Sequence, residues 1–257
     1  MSPSRVLIIC FQHDYESPAK ELYPSVLNGT ITEREFLQTV DEILFANLDV
    51  TSSILAFLLI NLAAQEEAQE DLRQEIMSQI QIADEVGGEP LSTYTQKNTT
   101  MLEYTCMESI RLCPAAWFTL PEYAVNDLDV GGYRIKGKTP CIIDWNRLNT
   151  ESPIWWPEKS DSSSQLITGK SFYPRRFLAI SPADYRWSLL RFGLGGRQCL
   201  GKNFGSVMMK QFLIDTLSHY KLELSGPPRE DMQGIKGELR KDRFTITSRQ
   251  YIKFTKI

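Results

Sequence analysis

Apolar side chains return at helical spacing through the first third of the chain: Phe36, Val40, Leu44, Leu48, Leu55, Leu58 and Leu62. Thr32 with Glu35 makes a capping box ahead of them, so the pattern predicts a long, deeply buried helix. A polar insertion, Ala46-Asn47-Leu48-Asp49-Val50-Thr51-Ser52, interrupts that run. Polar groups in such a place cost stability unless they find partners. From Gln65 to Gln81 the residues Ala68, Leu72, Ile76 and Ile80 recur every fourth position, which predicts an amphipathic surface helix broken by Asp84 to Pro90. Thr100 with Glu103 makes a second capping box. Leu102, Cys106, Ile110 and Cys113 then line a helix over 99–113 that Pro114 ends.

Strand character follows in Trp117 to Leu120, Ala124-Val125, Gly131 to Ile135 and Pro140 to Ile143, with turns at Asn126-Asp127 and Gly137-Lys138. Residues 144–190 lack periodicity and read as an irregular meander, with Ser160 to Lys170 as a solvent-exposed insertion. A further helix runs from just after Cys199 to about Ser218, expected to pack Phe204, Val207, Met208, Phe212 and Leu217 inward. Residues 220–257 alternate polar and apolar, as in Lys221 to Leu224, Phe244 to Thr247 and Tyr251 to Phe254, and predict a terminal hairpin. Residues 12–31 read as loop or short helix, and 5–11 as a buried strand or irregular terminus. The expectation is a single domain over 1–257, mainly α with small β-sheets.

Composition narrows the function. A 42% hydrophobic content suits a sizeable core, while a net charge of −4 and a pI near 5.4 argue against a nucleic-acid binder. The cysteines at 10, 106, 113, 141 and 199 are odd in number and form no Cys-x-x-Cys pair, which suggests a reducing, intracellular compartment. His13 and His219 are too few for a histidine-rich metal site or a His-dependent triad. The run 5–11 is too short to span a membrane. Ile43 to Ala64 carries Asn47, Asp49, Thr51 and Asn61 in its body, so no membrane span is expected.

The chemistry concentrates in Phe192-Gly193-Leu194-Gly195-Gly196-Arg197-Gln198-Cys199-Leu200-Gly201. One cysteine sits on a glycine-rich turn before a long helix, whose unpaired N–H groups and positive dipole end suit a sulfur ligand. Gly195 and Gly196 would let the backbone turn with positive φ beside a flat ligand, and Gly201 would bring the new helix close to it. Arg197 would reach an anionic edge, and Phe192 would offer an aromatic face. Read at 192, 195, 197, 199 and 201, Phe-x-x-Gly-x-Arg-x-Cys-x-Gly resembles the haem-binding loop of the cytochrome P-450 monooxygenases. At roughly one in twenty per position, a chance match should occur on the order of once per ten thousand chains of this length.

The resemblance implies the C-terminal part of the P-450 fold, with the family's N-terminal portion and membrane anchor absent. It implies haem b held through Cys199 as metal ligand, with Phe192, Gly195, Arg197 and Gly201 binding the cofactor. Glu108 and Arg111 stand as the family's Glu-x-x-Arg pair, and Arg176, from Phe172 to Phe177, as the third member of its structural lock. Such a cluster is net positive, so it should sit partly wet or meet backbone carbonyls. Arg175 stands where glutamate is usual.

The insertion at 46–52 is similar to the family's distal helix, which makes Asp49 and Thr51 the candidate catalytic residues. Asn47 replaces a usual glycine, and Val50 replaces the proton-relay threonine. In a straight helix Thr51 is about 100° from position 50 and does not simply take its place. Glu122 follows Pro121 where many members place a cation for a haem propionate. Phe118, Thr119 and Leu120 are either substrate contacts or core.

The implied reaction inserts one oxygen atom from O₂ into a small organic substrate. Its electrons come from NADPH through a flavoprotein reductase, and Arg191, Lys202 and Lys210 form a basic docking face. The wording of the distal segment and of 131–149 is similar to fungal enzymes of secondary metabolism, a family usually at the endoplasmic reticulum membrane. The alternative is a truncated, non-catalytic relative that binds haem weakly or not at all.

Overall fold

The computed structural model describes residues 18–85, 91–116, 118–156, 167–226, 248 and 250–257. The segments expected at 5–11 and 244–247, residue Trp117 and most of the insertion expected at 160–170 lie outside them. The chain falls into two compact units, Met1–Val50 and Thr51–Ile257.

In the first unit α1 (Pro18–Leu27) and α2 (Glu33–Phe45) meet through the Tyr23 and Phe36 rings, edge to face at 5.6 Å. Thr32 and Glu35 form the expected reciprocal capping box. Deep burial of the helix is corrected here. Phe36 is buried, but Leu37, Ile43, Leu44, Phe45 and Leu48 are exposed, because α1 covers only one side of α2. Ala46–Val50 then forms a π turn. A π turn closes i to i+5 bonds and takes in an extra residue, so the polar insertion does not continue α2 as a straight α-helix.

The second unit is organised by α3 (Thr51–Ala64), α4 (Glu66–Glu85), α5 (Leu91–Gln96) and α6 (Met101–Leu112). They enclose one main core with the late helix α9 (Lys202–Leu217): Leu58 and Leu62, Leu72 and Ile76, Leu102 and Ile110, Leu213 and Leu217. Each such side chain contributes roughly 1.5–3 kcal/mol by leaving water. By length and composition alone the run Glu33–Ala64 is apolar enough to cross a membrane, yet α3 buries Phe57, Leu58, Ile60 and Leu62 inside protein.

Helix α4 is more than a surface helix. Its Gln69 is buried, donating to the Leu62 and Leu222 carbonyls and accepting from the Leu222 N–H. Its Glu75 accepts the Met101 and Leu102 N–H groups and so caps α6, while Arg73 donates to the Leu217 and Tyr220 carbonyls at the end of α9.

Among the described residues, three short antiparallel pairs complete the fold. β1 (Glu122–Tyr123) joins β4 (Pro140–Cys141), and β2 (Leu128–Val130) joins β3 (Tyr133–Ile135) through the positive-φ glycines 131 and 132. β5 (Tyr220–Ser225) pairs with β6 (Tyr251–Lys256), Tyr220 opposite Lys256. Between these pairs run α7 (Trp145–Glu151), 3-10 turns at Pro153–Trp155 and Pro174–Leu178, and α8 (Pro182–Tyr185).

The inward face of α9 differs from expectation. Met209, Lys210, Leu213, Ile214 and Leu217 are buried, whereas Phe204 is 71% exposed and Val207 is also exposed. The buried stripe therefore includes a charged residue, which an apolar pattern passes over.

Candidate functional site

Helix α6 carries one buried ionic lock. Glu108 takes Arg111 side-on, with Nε to Oε2 and a terminal nitrogen to Oε1 both at 2.8 Å, as their i, i+3 spacing on a helix allows. Arg176 reaches the same Oε1 through Nε at 2.9 Å, and the Tyr173 N–H adds a fourth donor at 2.8 Å. All three side chains are buried. The surplus positive charge meets carbonyl dipoles: Arg111 donates to Asn149, Gly169 and Ser171, and Arg176 to Trp155, Thr168 and Ser171. Of the two expected outcomes the lock takes the second, because the meander folds its backbone carbonyls around it. Burial alone would raise the Glu108 pKa, but Arg111 and Arg176 outweigh it and hold the carboxyl below the usual range. Trp155, fully buried, lies under the Arg111 guanidinium at 5.1 Å.

Arg175, one residue earlier, points outward and pairs with Asp71 of α4 at 2.7 Å. No spacing signal links residues 71 and 175, so this pair was not legible in sequence.

The cysteine loop leaves the core at Phe192, whose ring packs at the rim of the main cluster. Its closure is a single backbone bond, from the Cys199 N–H to the Phe192 carbonyl, at 2.8 Å. Within it Gly193 and Gly195 take positive φ, at 76° and 69°. Gly196, the middle residue of the 3-10 turn Gly195–Arg197, does not take positive φ. Residues 194–200 are exposed, and Cys199 is a free thiol among them. Gly201 caps α9 at φ −83°, and a Cβ on it would only touch the Cys199 Sγ at 4.0 Å.

The other candidates fall elsewhere. Asp49 is exposed within the π turn that closes the first unit, and Thr51, half-buried, opens the second. Glu122 is exposed on β1. Thr119 bonds Ile143 through both its backbone N–H and its hydroxyl, while Phe118 and Leu120 are exposed and so are not core.

The basic docking face is corrected. Lys210 is 2% exposed, pairs with Glu103 at 2.8 Å and donates to the Thr95 and Lys97 carbonyls. Arg191 pairs with the other Glu103 oxygen at 2.8 Å. Of the three residues, Lys202 alone stays with the surface polar groups, donating to Gln198. Glu103 was also misread. Thr100 accepts its N–H, but its carboxylate goes to the two cations rather than back to the cap. Nearby, burial and the Glu103 charge push the Cys106 thiol up to about 12.

A mainly helical core with three small β pairs, a Glu–Arg–Arg lock and a cysteine loop ahead of the last helix defines the class: the C-terminal part of the haem-thiolate fold. Comparison with known proteins makes this specific. The cytochrome P-450 family model matches residues 20–243, and the chain belongs to that family. It is 38% identical over 221 residues to cytochrome P-450 monooxygenase lepD of Aspergillus flavus, covering 86% of this chain and 40% of that protein. Against cytochrome P-450 monooxygenase gliC of Aspergillus fumigatus it is 36% identical, again over 86% of this chain and 40% of the relative. The chain thus spans about 40% of the length of these relatives. A zebra fish cytochrome P-450 solved with abiraterone superposes with a TM-score of 0.70 at 20% identity, over 99% of this chain and 58% of that one.

The loop residues fit the haem that the family implies. Cβ atoms built on Gly195 and Gly196 meet nothing within 4 Å, which leaves room for a flat ring to approach. A thiol stands free at the loop's end, and Arg197 is exposed beside it.

Proposed function

We propose that this chain supplies the cysteine side of a haem-dependent monooxygenase acting on a small organic substrate. The supporting observation is the free, exposed Cys199, held by its own N–H to Phe192 on a glycine turn, with nothing near the glycines to obstruct a planar group. Haem, when bound, supplies the activation of O₂ for insertion of one oxygen atom. Cys199 would hold the haem through its sulfur, as thiolate ligation in this family does. Arg197 neutralises an anionic edge of the ring, and Phe192 flanks the sulfur. Asp49 and Thr51 are the residues that would handle protons, with Val50 offering no hydroxyl where the family's relay threonine is usual.

Electrons reach the site from NADPH through a flavoprotein reductase at the endoplasmic reticulum membrane. The fungal relatives lepD and gliC favour a secondary-metabolite substrate. The test is to load the protein with haem, reduce it under carbon monoxide and record the Soret band. A red-shifted, thiolate-type band supports the reading, and failure to retain haem overturns it. Val50 favours the second reading, a non-catalytic relative that binds haem weakly or not at all, for which the same reduction gives no thiolate-type band.

A further inference from the structure

The two ends of the cysteine loop are tied to one buried carboxylate. Glu103, in the first turn of α6, is 4% exposed and faces two cations on different parts of the chain. Arg191, immediately before Phe192, donates to Oε1 at 2.8 Å. Lys210, on α9 beyond the loop, meets Oε2 at 2.8 Å and has its remaining protons placed on the Thr95 and Lys97 carbonyls. Two of the ammonium's three donors go to these carbonyls, beside its ion pair with Glu103. Arg191 also stacks over the Phe192 ring at 5.7 Å. The clamp residue therefore directly precedes Phe192, whose carbonyl closes the loop on the Cys199 N–H. Residues 194–200 are exposed, so burial does not hold them; besides the bond at the base, Gln198 donates to the Gly193 carbonyl and accepts from Lys202.

We propose that Glu103 is a positioning residue for Cys199, acting through Arg191 and Phe192 before the loop and through Lys210 after it. Its importance for the haem ligand rests on the function proposed above; its hold on the loop does not. A charge triad that merely stabilised the fold would matter only to global unfolding.

The experiment is amide hydrogen exchange on the full chain, comparing wild type with Glu103→Gln and Arg191→Gln, alongside urea unfolding of each. Arg191 is 23% exposed at its side chain, so its variant tests the loop arm even where Glu103→Gln fails to fold. We expect at least tenfold faster exchange at the Cys199 amide in both variants, with Ile110 amides beside the lock changed less than threefold. In haem-loaded protein the same variants should lose thiolate-type Soret intensity in favour of a blue-shifted band. Unchanged Cys199 exchange in Arg191→Gln, or acceleration matched at Ile110, overturns the proposal. Absence of the band from wild type would instead defeat the haem reading and leave the exchange result standing.

Discussion

A Cβ placed on Gly169 would lie 2.1 Å from the carbonyl oxygen of Thr150. The meander passes that close to the end of α7 because the Gly169 carbonyl must reach the Arg111 guanidinium. Gly169→Ala forces the two backbones apart and removes one of the lock's acceptors. We expect a loss of about 3 kcal/mol, read from urea midpoints. Gly205→Ala is the control: it lies inside α9 with nothing within 4 Å, and should stabilise by about 0.5–1 kcal/mol.

Neighbouring arginines should behave differently. Arg176 is 2% exposed and shares Glu108 with Arg111, so Arg176→Ala should cost about 3–5 kcal/mol. Arg175 is largely solvated in its pair with Asp71, and Arg175→Ala should cost less than about 1 kcal/mol. Chemical denaturation of both variants checks the contrast.

The Glu108 carboxyl is held below its ordinary value of 4.5 by the two arginines, against the opposing pull of burial. A depressed carboxylate contributes stability that is full above its unfolded value and lost as pH falls through the lower folded one. Glu108→Gln should therefore be less stable than wild type at neutral pH. The gap should narrow below about pH 4.5, as urea midpoints measured from pH 7 to 3 would record.

Replacing the ligand tests the site itself. Cys199→Ser should abolish the thiolate-type band of haem-loaded protein, whereas Cys141→Ser, in β4 and away from the loop, should leave it unchanged. Arg197→Ala should weaken haem retention without changing the band's position, checked by haem titration.

Local signals in the sequence were those with a physical period or a fixed motif. The Thr32–Glu35 box and the Leu72 and Ile76 stripe needed nothing beyond nearest neighbours on a helix, whereas α5 and the short helices α7 and α8, in what reads as a meander, were not predicted. What could not be read was set by distant partners. Glu103 matched a capping box equally well until Arg191 and Lys210 arrived from residues 88 and 107 positions away, as 191 − 103 and 210 − 103. Lys210, charged, hid the true inner face of α9 and passed for a surface residue. The π turn at Ala46–Val50 had no marker beyond the polar insertion, because backbone hydrogen-bond length leaves no periodicity over five residues. Composition likewise gave no account of which carbonyls would surround the Glu108 lock.

The accessibility of the four described cysteines bears on how the protein is handled. Cys106 and Cys113 are sealed in the interior, where burial pushes their thiols upward and suppresses reaction. Cys199, the proposed iron ligand, stands at the surface. Before it is loaded, the same group is open to air oxidation and to joining a second chain, so reductant should be present from lysis until porphyrin is supplied.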